Sequence, residues 1–202
     1  MVDDLAYNPL DKLHLGESVA NAILRQAPVP LPPAEAFAGA GIYMIYYTGP
    51  FAAYKSLAVS NRSGAYSRPI YVGKAIPQGG RRGRSLLTKS TGRDLYSRLS
   101  EHATSIQQAR NLDIADFKCR YLVVDDIWIP LGESLLISQF KPVWNAVVDG
   151  FGNHSPGKGR FKQRRSMWDI LHPGRPWADL CAERAETAKD IEIRVISALS
   201  GG

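Results

Sequence analysis

The chain has 202 residues and a mass of 22.2 kDa, which favours one compact domain with extended ends over a multidomain protein. Hydrophobic residues make up 45% of the sequence and charged residues 22%, so the chain can build an ordinary core and is not expected to be disordered. The net charge of +6 and the isoelectric point of about 9.4 indicate a negatively charged partner.

No membrane or targeting segment is evident in the sequence. No apolar run approaches the ~20 residues that span a bilayer, and the first ten residues do not follow the pattern of a signal peptide. The two cysteines, Cys119 and Cys181, are far apart and lack the CxxC spacing of zinc and redox sites. These features predict a reduced, cytoplasmic protein that does not bind membranes.

The first part of the chain predicts one helix and two strands. Residues 11–26 carry apolar side chains at helical spacing, and the prolines within 28–33 predict an extended connector because proline disrupts a helix interior. Residues 41–47 and 70–73 are rich in β-branched and aromatic side chains, which is typical of buried strands. The connection at 48–68 is long and polar, and it is expected to loop out.

The middle of the chain predicts two helices and a third strand. A loop rich in glycine and arginine is expected at 75–92, followed by a helix from Asp94, as its N-cap, to about residue 110. Residues 117–124 predict the third strand. Residues 132–140 predict a short helix.

The last part of the chain is less regular. Residues 141–176 are rich in glycine, proline and basic side chains and predict mostly loop, whereas 177–188 predict a final helix. Periodicity leaves 191–199 open as either strand or helix. The element order predicts an α+β fold, with a small three-stranded, antiparallel-type sheet flanked by helices. The predicted organisation is one compact domain, with an N-terminal helix and connector at 1–40, a core at 41–150 and a basic loop with a helical extension at 151–202.

Positive charge is concentrated in two stretches. Residues 62–98 contain nine basic side chains and one acid, Asp94, while residues 141–165 contain six basic side chains and one acid, Asp149. Because the whole chain carries only +6, the remainder is net acidic. A basic stripe on an acidic body predicts nucleic-acid binding, and a merely solvated basic surface is the alternative. The predicted DNA-binding residues are Arg81, Arg82, Arg84, Lys158, Arg160, Lys162, Arg164 and Arg165.

Two tyrosines on the first two strands are candidates for one pocket. Side chains alternate along a strand, so Tyr43 shares its face with Ile45 and Tyr47. If the strands pair, Tyr43 and Tyr71 present two phenols together, and Gly73 leaves room for a phosphate beside them. Both tyrosines could equally be ordinary core residues.

Arg98 and His102 lie one helical turn apart, at the edge of the apolar face of their helix. At this position an arginine suits a bidentate grip on a phosphate, and a histidine suits proton transfer near neutral pH. The alternatives are a boundary arginine and a hydrogen-bonded core histidine.

Glu133 projects from the apolar stripe of its predicted helix, where a bare charge costs several kcal/mol and requires a partner. An arginine or a helix cap would satisfy it, and a divalent cation is the functional possibility. One carboxylate with waters and a phosphate suits Mg²⁺. Asn145 follows Trp144 in an irregular stretch, where an asparagine often forms a local turn.

Together these residues form an ordered set that resembles the GIY-YIG nuclease superfamily. The resemblance covers roughly half of the chain, from about residue 41 to residue 145. In particular the sequence is similar to the small type II restriction endonucleases that cut GC-rich six-base-pair palindromes. The set comprises Gly41-Ile42-Tyr43, Tyr71-Val72-Gly73-Lys74, Arg98 with His102, Glu133 and Asn145.

The resemblance implies an Mg²⁺-dependent endodeoxyribonuclease with one Mg²⁺ per active site, acting on double-stranded DNA as a homodimer. Tyr43, assisted by His102 or Lys74, would orient and deprotonate the attacking water. Tyr71 and Arg98 would bind the phosphate, and Glu133 would hold the metal. Asn145 would have a structural or water-positioning role.

The sequence departs from the family pattern at two places. Valine replaces isoleucine in the second motif, and 28 positions separate Tyr43 from Tyr71 where the family usually has a short hairpin. The insertion at 48–68 is therefore a candidate contact with DNA or a second subunit.

Two alternatives to a restriction endonuclease are a repair or mobile-element nuclease of the same superfamily, and a non-catalytic DNA-binding module that retains the fold. His154 and His172 are left without a role.

Overall fold

A computed structural model of the protein describes residues 8, 11–77, 92–155 and 162–201. Within these ranges the strands are β1 (Val29–Pro30), β2 (Gly41–Tyr47), β3 (Tyr71–Ala75) and β4 (Phe117–Val123). The helices are α1 (Lys12–Leu24), α2 (Lys55–Arg62), α3 (Asp94–Gln108), α4 (Ile129–Phe140), α5 (Val143–Ala146), α6 (Met167–Leu171) and α7 (Ala188–Ser200). None of the helices in the described part of the chain is long and apolar enough to cross a membrane.

The four strands form one antiparallel sheet in the order β1-β4-β2-β3. β2 is central and buried along its whole length, and β3 lies at one edge of the sheet. The register places Gly73 opposite Tyr43 and Lys74 opposite Ile42. The predicted α+β fold is confirmed, although β1 adds a fourth strand within the proline-rich segment that was expected to be a simple connector.

The alternation along β2 divides the core into two layers. Tyr43, Ile45 and Tyr47 pack with the apolar faces of α2, α3 and α7. Ile42 and Met44 point to the opposite layer, which is built from α1 and α4. Each fully buried isoleucine contributes about 1.5–3 kcal/mol to the free energy of folding, so this alternation fixes the register of the sheet.

The insertion at 48–68 does not loop out as a polar connection. It contains α2, whose Leu57 and Ala58 are buried in the core. The buried Asn61 fastens the helix, because its amide donates to the carbonyls of Tyr47 and Arg68 and accepts the Arg68 N–H. The insertion is therefore an integral part of the fold.

Three helix boundaries differ from those predicted. The α3 helix begins at Asp94, so Arg93 rather than Asp94 is at the N-cap position. The α4 helix begins at Ile129, three residues before the predicted start, so Glu133 lies beyond the first turn. The predicted helix at 177–188 is wrong, because that segment holds a short 3₁₀ helix (Pro176–Leu180) and irregular chain before α7 begins. Residues 191–199 are helical.

Candidate active site

The two motif tyrosines meet above Gly73 on the edge of the sheet. Their ring centroids lie 6.2 Å apart, on the layer of the sheet that α3 covers. A Cβ atom at position 73 would overlap the Tyr43 hydroxyl and would lie 2.9 Å from Tyr71 Cε1. Glycine is therefore required at this position because the two phenol rings converge there.

α3 brings His102 against Tyr43. The His102 side chain is buried, and its Nε2 lies 2.6 Å from Tyr43 Oη. Burial lowers the pKa of His102 to about 3, and the Arg98 charge adds to this effect. Burial also raises the pKa of Tyr43 well above its usual value. At neutral pH the pair is therefore an uncharged imidazole and an uncharged phenol that share one hydrogen bond.

Arg98 lies one turn before His102 and is partly exposed. Its guanidinium bonds to the ring of His154 and forms an ion pair with Glu101, at 3.2 Å between Nη1 and Oε2. Burial raises the pKa of Tyr71, and the positive charge of Arg98 partly opposes this effect. Arg98 thus places a positive charge at the open side of the tyrosine pocket.

Lys74 and Glu133 form an ion pair on the other layer of the sheet, with 2.6 Å between Nζ and Oε2. Their side chains are 34% and 17% exposed, so the pair is reachable by solvent. Burial raises the pKa of both Tyr43 and Tyr71, and the Glu133 charge adds to this effect. Lys74 follows Gly73 on the edge strand β3, so the ion pair lies beside the strand that carries the second motif. The partner of Glu133 is thus a lysine rather than an arginine, and the start of α4 at Ile129 removes its interpretation as a helix cap.

Asn145 fastens the edge strand that carries the second motif. Its Oδ1 accepts the Val72 N–H at 2.8 Å, and its Nδ2 donates to the Val72 carbonyl at 2.8 Å. An edge strand leaves such backbone groups without a neighbouring strand, and a side-chain amide can satisfy both at once. The structure therefore gives Asn145 a structural role in holding β3 rather than a local turn of its own.

Two residues at the site were not predicted from the sequence. Phe151 stacks on His102 with ring centroids 4.5 Å apart, and His154 bonds to Arg98. Both lie in a turn after α5 that carries no motif spacing, so the presence of a histidine is the one signal for this turn that the sequence contains. His172, also unassigned, is buried elsewhere in the core and bonds to Tyr54 Oη and Asn111 Oδ1.

Among the described residues, no group of three or more histidine, cysteine, aspartate or glutamate side chains is arranged to hold a metal ion. Glu133 is the carboxylate that pairs with Lys74 beside the edge strand β3. A metal ion at this site would therefore take one protein carboxylate and complete its shell with water and phosphate oxygens, which is a ligand set that Mg²⁺ accepts.

A family model of the Eco29kI GIY-YIG domain, a restriction endonuclease family, matches residues 35–199. The chain belongs to this family. It is therefore a restriction-type GIY-YIG nuclease, and membership implies endonuclease activity. The match includes all the site residues described above and extends through α6 into α7. No curated protein sequence matches the chain.

The basic residues of this GIY-YIG nuclease are only partly within the described ranges. Lys162 and Arg164 are exposed, as a nucleic-acid contact requires. Arg165 is instead engaged with the protein, because its Nε donates to the Ala178 carbonyl and its Nη2 pairs with Asp179 at 3.4 Å. The other predicted DNA-binding residues, Arg81, Arg82, Arg84, Lys158 and Arg160, lie outside the described residues.

The two buried histidines are expected to make the stability of the nuclease depend on pH. The pKa of both His102 and His172 is lowered to about 3, while an unfolded histidine titrates near ~6.5. Between these values the unfolded chain binds more protons, so the free energy of unfolding falls as the pH falls. The expected slope approaches about 1.4 kcal/mol per pH unit for each histidine.

Urea unfolding at pH 7, 6 and 5 measures this dependence. His172→Gln is expected to flatten the slope, because the variant lacks one of the two buried imidazoles. Equal stability of the wild-type protein at pH 7 and pH 5 would contradict the neutral, buried state of the two imidazoles.

Proposed function

We propose that this nuclease makes sequence-specific double-strand cuts in palindromic DNA by Mg²⁺-dependent phosphodiester hydrolysis. The observation that carries the proposal is the convergence of two phenols, a neutral imidazole, a guanidinium and a carboxylate around the edge strand β3. These groups are Tyr43, Tyr71, His102, Arg98 and Glu133. The set supplies the parts that hydrolysis needs, namely a proton acceptor, phosphate ligands and a metal ligand.

Glu133 fits a role as the protein ligand of Mg²⁺. Its side chain is partly exposed, its Oε2 bonds to Lys74, and within the described residues its Oε1 accepts no hydrogen bond. Mg²⁺ usually retains several waters and takes one or two carboxylates together with substrate phosphate oxygens. When bound, the metal would supply Lewis acidity to stabilise the negative charge on the departing 3′ oxygen.

Tyr43 and His102 are suited to activate the attacking water. In the tautomer with its proton on Nδ1, His102 accepts the Tyr43 hydroxyl proton at Nε2, and Tyr43 in turn takes a proton from the water. The oxygen of that water then attacks phosphorus in line with the bond to the 3′ oxygen, which breaks. His102 is better placed for this transfer than Lys74, because Lys74 is paired with Glu133 on the other layer.

Tyr71 and Arg98 are suited to hold the scissile phosphate. Arginine donates two parallel hydrogen bonds to a phosphate, and the Tyr71 hydroxyl adds another from the same side. The negative charge of the phosphate would raise the pKa of the nearby His102, which favours its protonation during attack. Binding of the phosphate would therefore make His102 a better proton acceptor.

Membership of a restriction endonuclease family supports this proposal over a repair or mobile-element nuclease. The complete set of Tyr43, Tyr71, Arg98 and Glu133 argues against a non-catalytic binding module. The arginines of the two basic stretches suit a GC-rich recognition site, because arginine pairs with guanine through two hydrogen bonds in the major groove.

The nuclease is expected to act on DNA as a homodimer. The described part of one chain presents one candidate active site, and cutting both strands of a palindrome requires two sites related by a two-fold axis. Analytical ultracentrifugation with a duplex that contains the recognition sequence is expected to show two chains per duplex. One chain per duplex throughout cleavage would contradict the dimer.

Removal of charge from the basic stretches is expected to weaken DNA binding and to reduce its salt dependence. Each lost phosphate contact should reduce the slope of log affinity against log salt by roughly 0.9, whereas a lost base contact should reduce discrimination by about 1–3 kcal/mol. Fluorescence anisotropy over a salt series measures both quantities. The variant Lys162→Gln with Arg164→Gln can be compared with Lys189→Gln, an exposed lysine outside both stretches. If the double variant and Lys189→Gln change DNA affinity and its salt dependence equally, the basic stretch at 141–165 is ordinary surface.

Incubation with plasmid DNA tests the proposed function. Discrete linear fragments are expected with Mg²⁺, and intact plasmid is expected when a chelator is in excess. Undiminished cleavage in chelator would remove the metal from the mechanism, and an intact plasmid under all conditions would contradict the nuclease itself.

A further inference from the structure

The turn at 150–154 lies directly against the proposed reaction residues. The Phe151 ring is buried, stacks on His102 at an interplanar angle of 16°, and meets Tyr71 edge-on with ring centroids 5.0 Å apart. A Cβ atom at Gly152 would lie 3.1 Å from Tyr71 Oη, so the backbone also approaches the tyrosine. His154 completes the contact through its bond to Arg98.

A buried arginine holds this turn in place. Arg175 is 1% exposed, and it donates to the carbonyls of Gly150 at 2.9 Å, Phe151 at 3.2 Å and Asn153 at 3.1 Å. Its remaining two N–H groups form a bidentate pair with the buried Asp169, at 2.6 and 2.7 Å. All five N–H groups of the guanidinium are therefore used inside the protein.

Arg175 acts as a clamp on the turn at 150–154, and the groups around its guanidinium hold that guanidinium in place. Its guanidinium contacts the rings of Trp168 and Trp177, at 4.5 and 4.7 Å from the two centroids. The fork shape of arginine is required, since lysine cannot reach three carbonyls and a carboxylate at once. Gly150 has φ +99° and packs on Ser166, where a Cβ atom would overlap the serine side chain. The contact of Gly150 with Ser166 fixes the backbone immediately before Phe151.

We infer that Phe151, clamped by Arg175, is a positioning residue of the active site. Its ring closes one side of the pocket, holds the His102 imidazole in line with Tyr43 Oη, and supports Tyr71 from the edge. The ring also keeps water away from His102. This inference rests on the proposed function, because the groups that it positions are the ones assigned to water activation and phosphate binding.

The titratable and charged groups around His102 come from four sides. They are Tyr43 on β2, Tyr71 on β3, Arg98 on α3, and His154 and Arg175 in the C-terminal segment. Burial is the main factor that disfavours a charged imidazole, and the nearby Arg98, His154 and Arg175 add to it. Removal of the Phe151 ring admits water without removing any of these groups, so its effect on His102 isolates the contribution of burial.

Phe151→Ala is the first test variant, and Phe117→Ala is its matched control. Phe117 is equally buried in the same layer but packs on Tyr47 and Trp144, without contact to His102. The cleavage rate under single turnover is expected to fall about a hundredfold in Phe151→Ala, as for other misplaced reacting groups, while DNA affinity stays within about threefold. Phe117→Ala is expected to lose comparable stability and to keep its cleavage rate.

A second measurement follows His102 itself by NMR of the four histidine rings between pH 4 and pH 8. The wild-type His102 signal, assigned by its loss in His102→Gln, is expected not to titrate in this range. In Phe151→Ala it is expected to begin titrating, and in Phe117→Ala to remain unchanged. This readout needs no DNA, so it tests the positioning role even if the wild-type protein proves not to cut.

Gly152→Ala keeps the test decisive if Phe151→Ala does not fold. The added methyl group pushes the turn away from Tyr71 by a few tenths of an ångström and removes nothing from the core. Its cleavage rate is expected to fall at least severalfold with unchanged melting temperature. Wild-type cleavage in Gly152→Ala, an unchanged His102 titration in folded Phe151→Ala, or an equal loss of rate in Phe117→Ala would overturn the inference.

Discussion

Replacement of Glu133 by glutamine is expected to reduce the DNA cleavage rate by at least about a thousandfold, because metal stabilisation of the leaving oxygen supplies several kcal/mol. The substitution keeps the shape of the side chain and removes the charge that holds a divalent ion. DNA affinity is expected to persist or to rise slightly, because a negative charge near the phosphate is lost. The Lys74–Glu133 ion pair is partly exposed to solvent, so its loss should cost less than about 1 kcal/mol of stability.

Lys74→Met is the matched control for Glu133→Gln. It breaks the same ion pair and retains the carboxylate, so the two variants should melt at similar temperatures. If Glu133 holds the metal, Lys74→Met should retain far more cleavage activity, and its affinity for Mg²⁺ in calorimetry should exceed that of Glu133→Gln. Equal losses of cleavage in the two variants would indicate that cleavage requires the ion pair itself and not a metal bound by the Glu133 carboxylate.

Tyr43→Phe is expected to reduce the cleavage rate by about 10²–10⁴-fold, the range typical of a lost proton-transfer step. The variant keeps the ring that packs over Gly73 and removes the hydroxyl that bonds to His102. Leaving the buried imidazole without this partner should also lower the free energy of unfolding by about 1–3 kcal/mol. Cleavage rate and melting temperature are measured on the same preparation.

The chain contains a natural control for this tyrosine. Tyr54 is also fully buried and bonds to a buried histidine, with 2.7 Å between its Oη and His172 Nε2. Tyr54→Phe should therefore lose comparable stability and cut DNA at the wild-type rate. A similar loss of cleavage in both variants would show that Tyr43 acts through stability alone.

The sequence predicted the parts of the fold that depend on local alternation. β2 has seven buried residues whose side chains alternate between two layers, and the motif tyrosines follow from that pattern. The helix errors have identifiable causes. Pro130 in the first turn of α4 marks its start, and the capping box formed by Thr187 and Asp190 marks the start of α7. Both signals are visible in the sequence.

The features that were not predictable depend on contacts between distant parts of the chain. Asn145 bonds to Val72, 73 positions earlier, and Arg175 reaches the carbonyls of a turn more than 20 positions before it. Periodicity describes the face of one element and contains no information on which loop will cover it. For the same reason the pairing of Lys74 with Glu133 could not be read from either element alone.

Sequencing the ends of DNA fragments tests the central claim most directly. The wild-type protein with Mg²⁺ and a genome-length DNA is expected to leave ends that all derive from one palindromic sequence, cut at the same position on both strands. The Glu133→Gln protein should leave no such ends. Random ends, or nicks confined to one strand, would contradict a restriction-type nuclease that acts through this site.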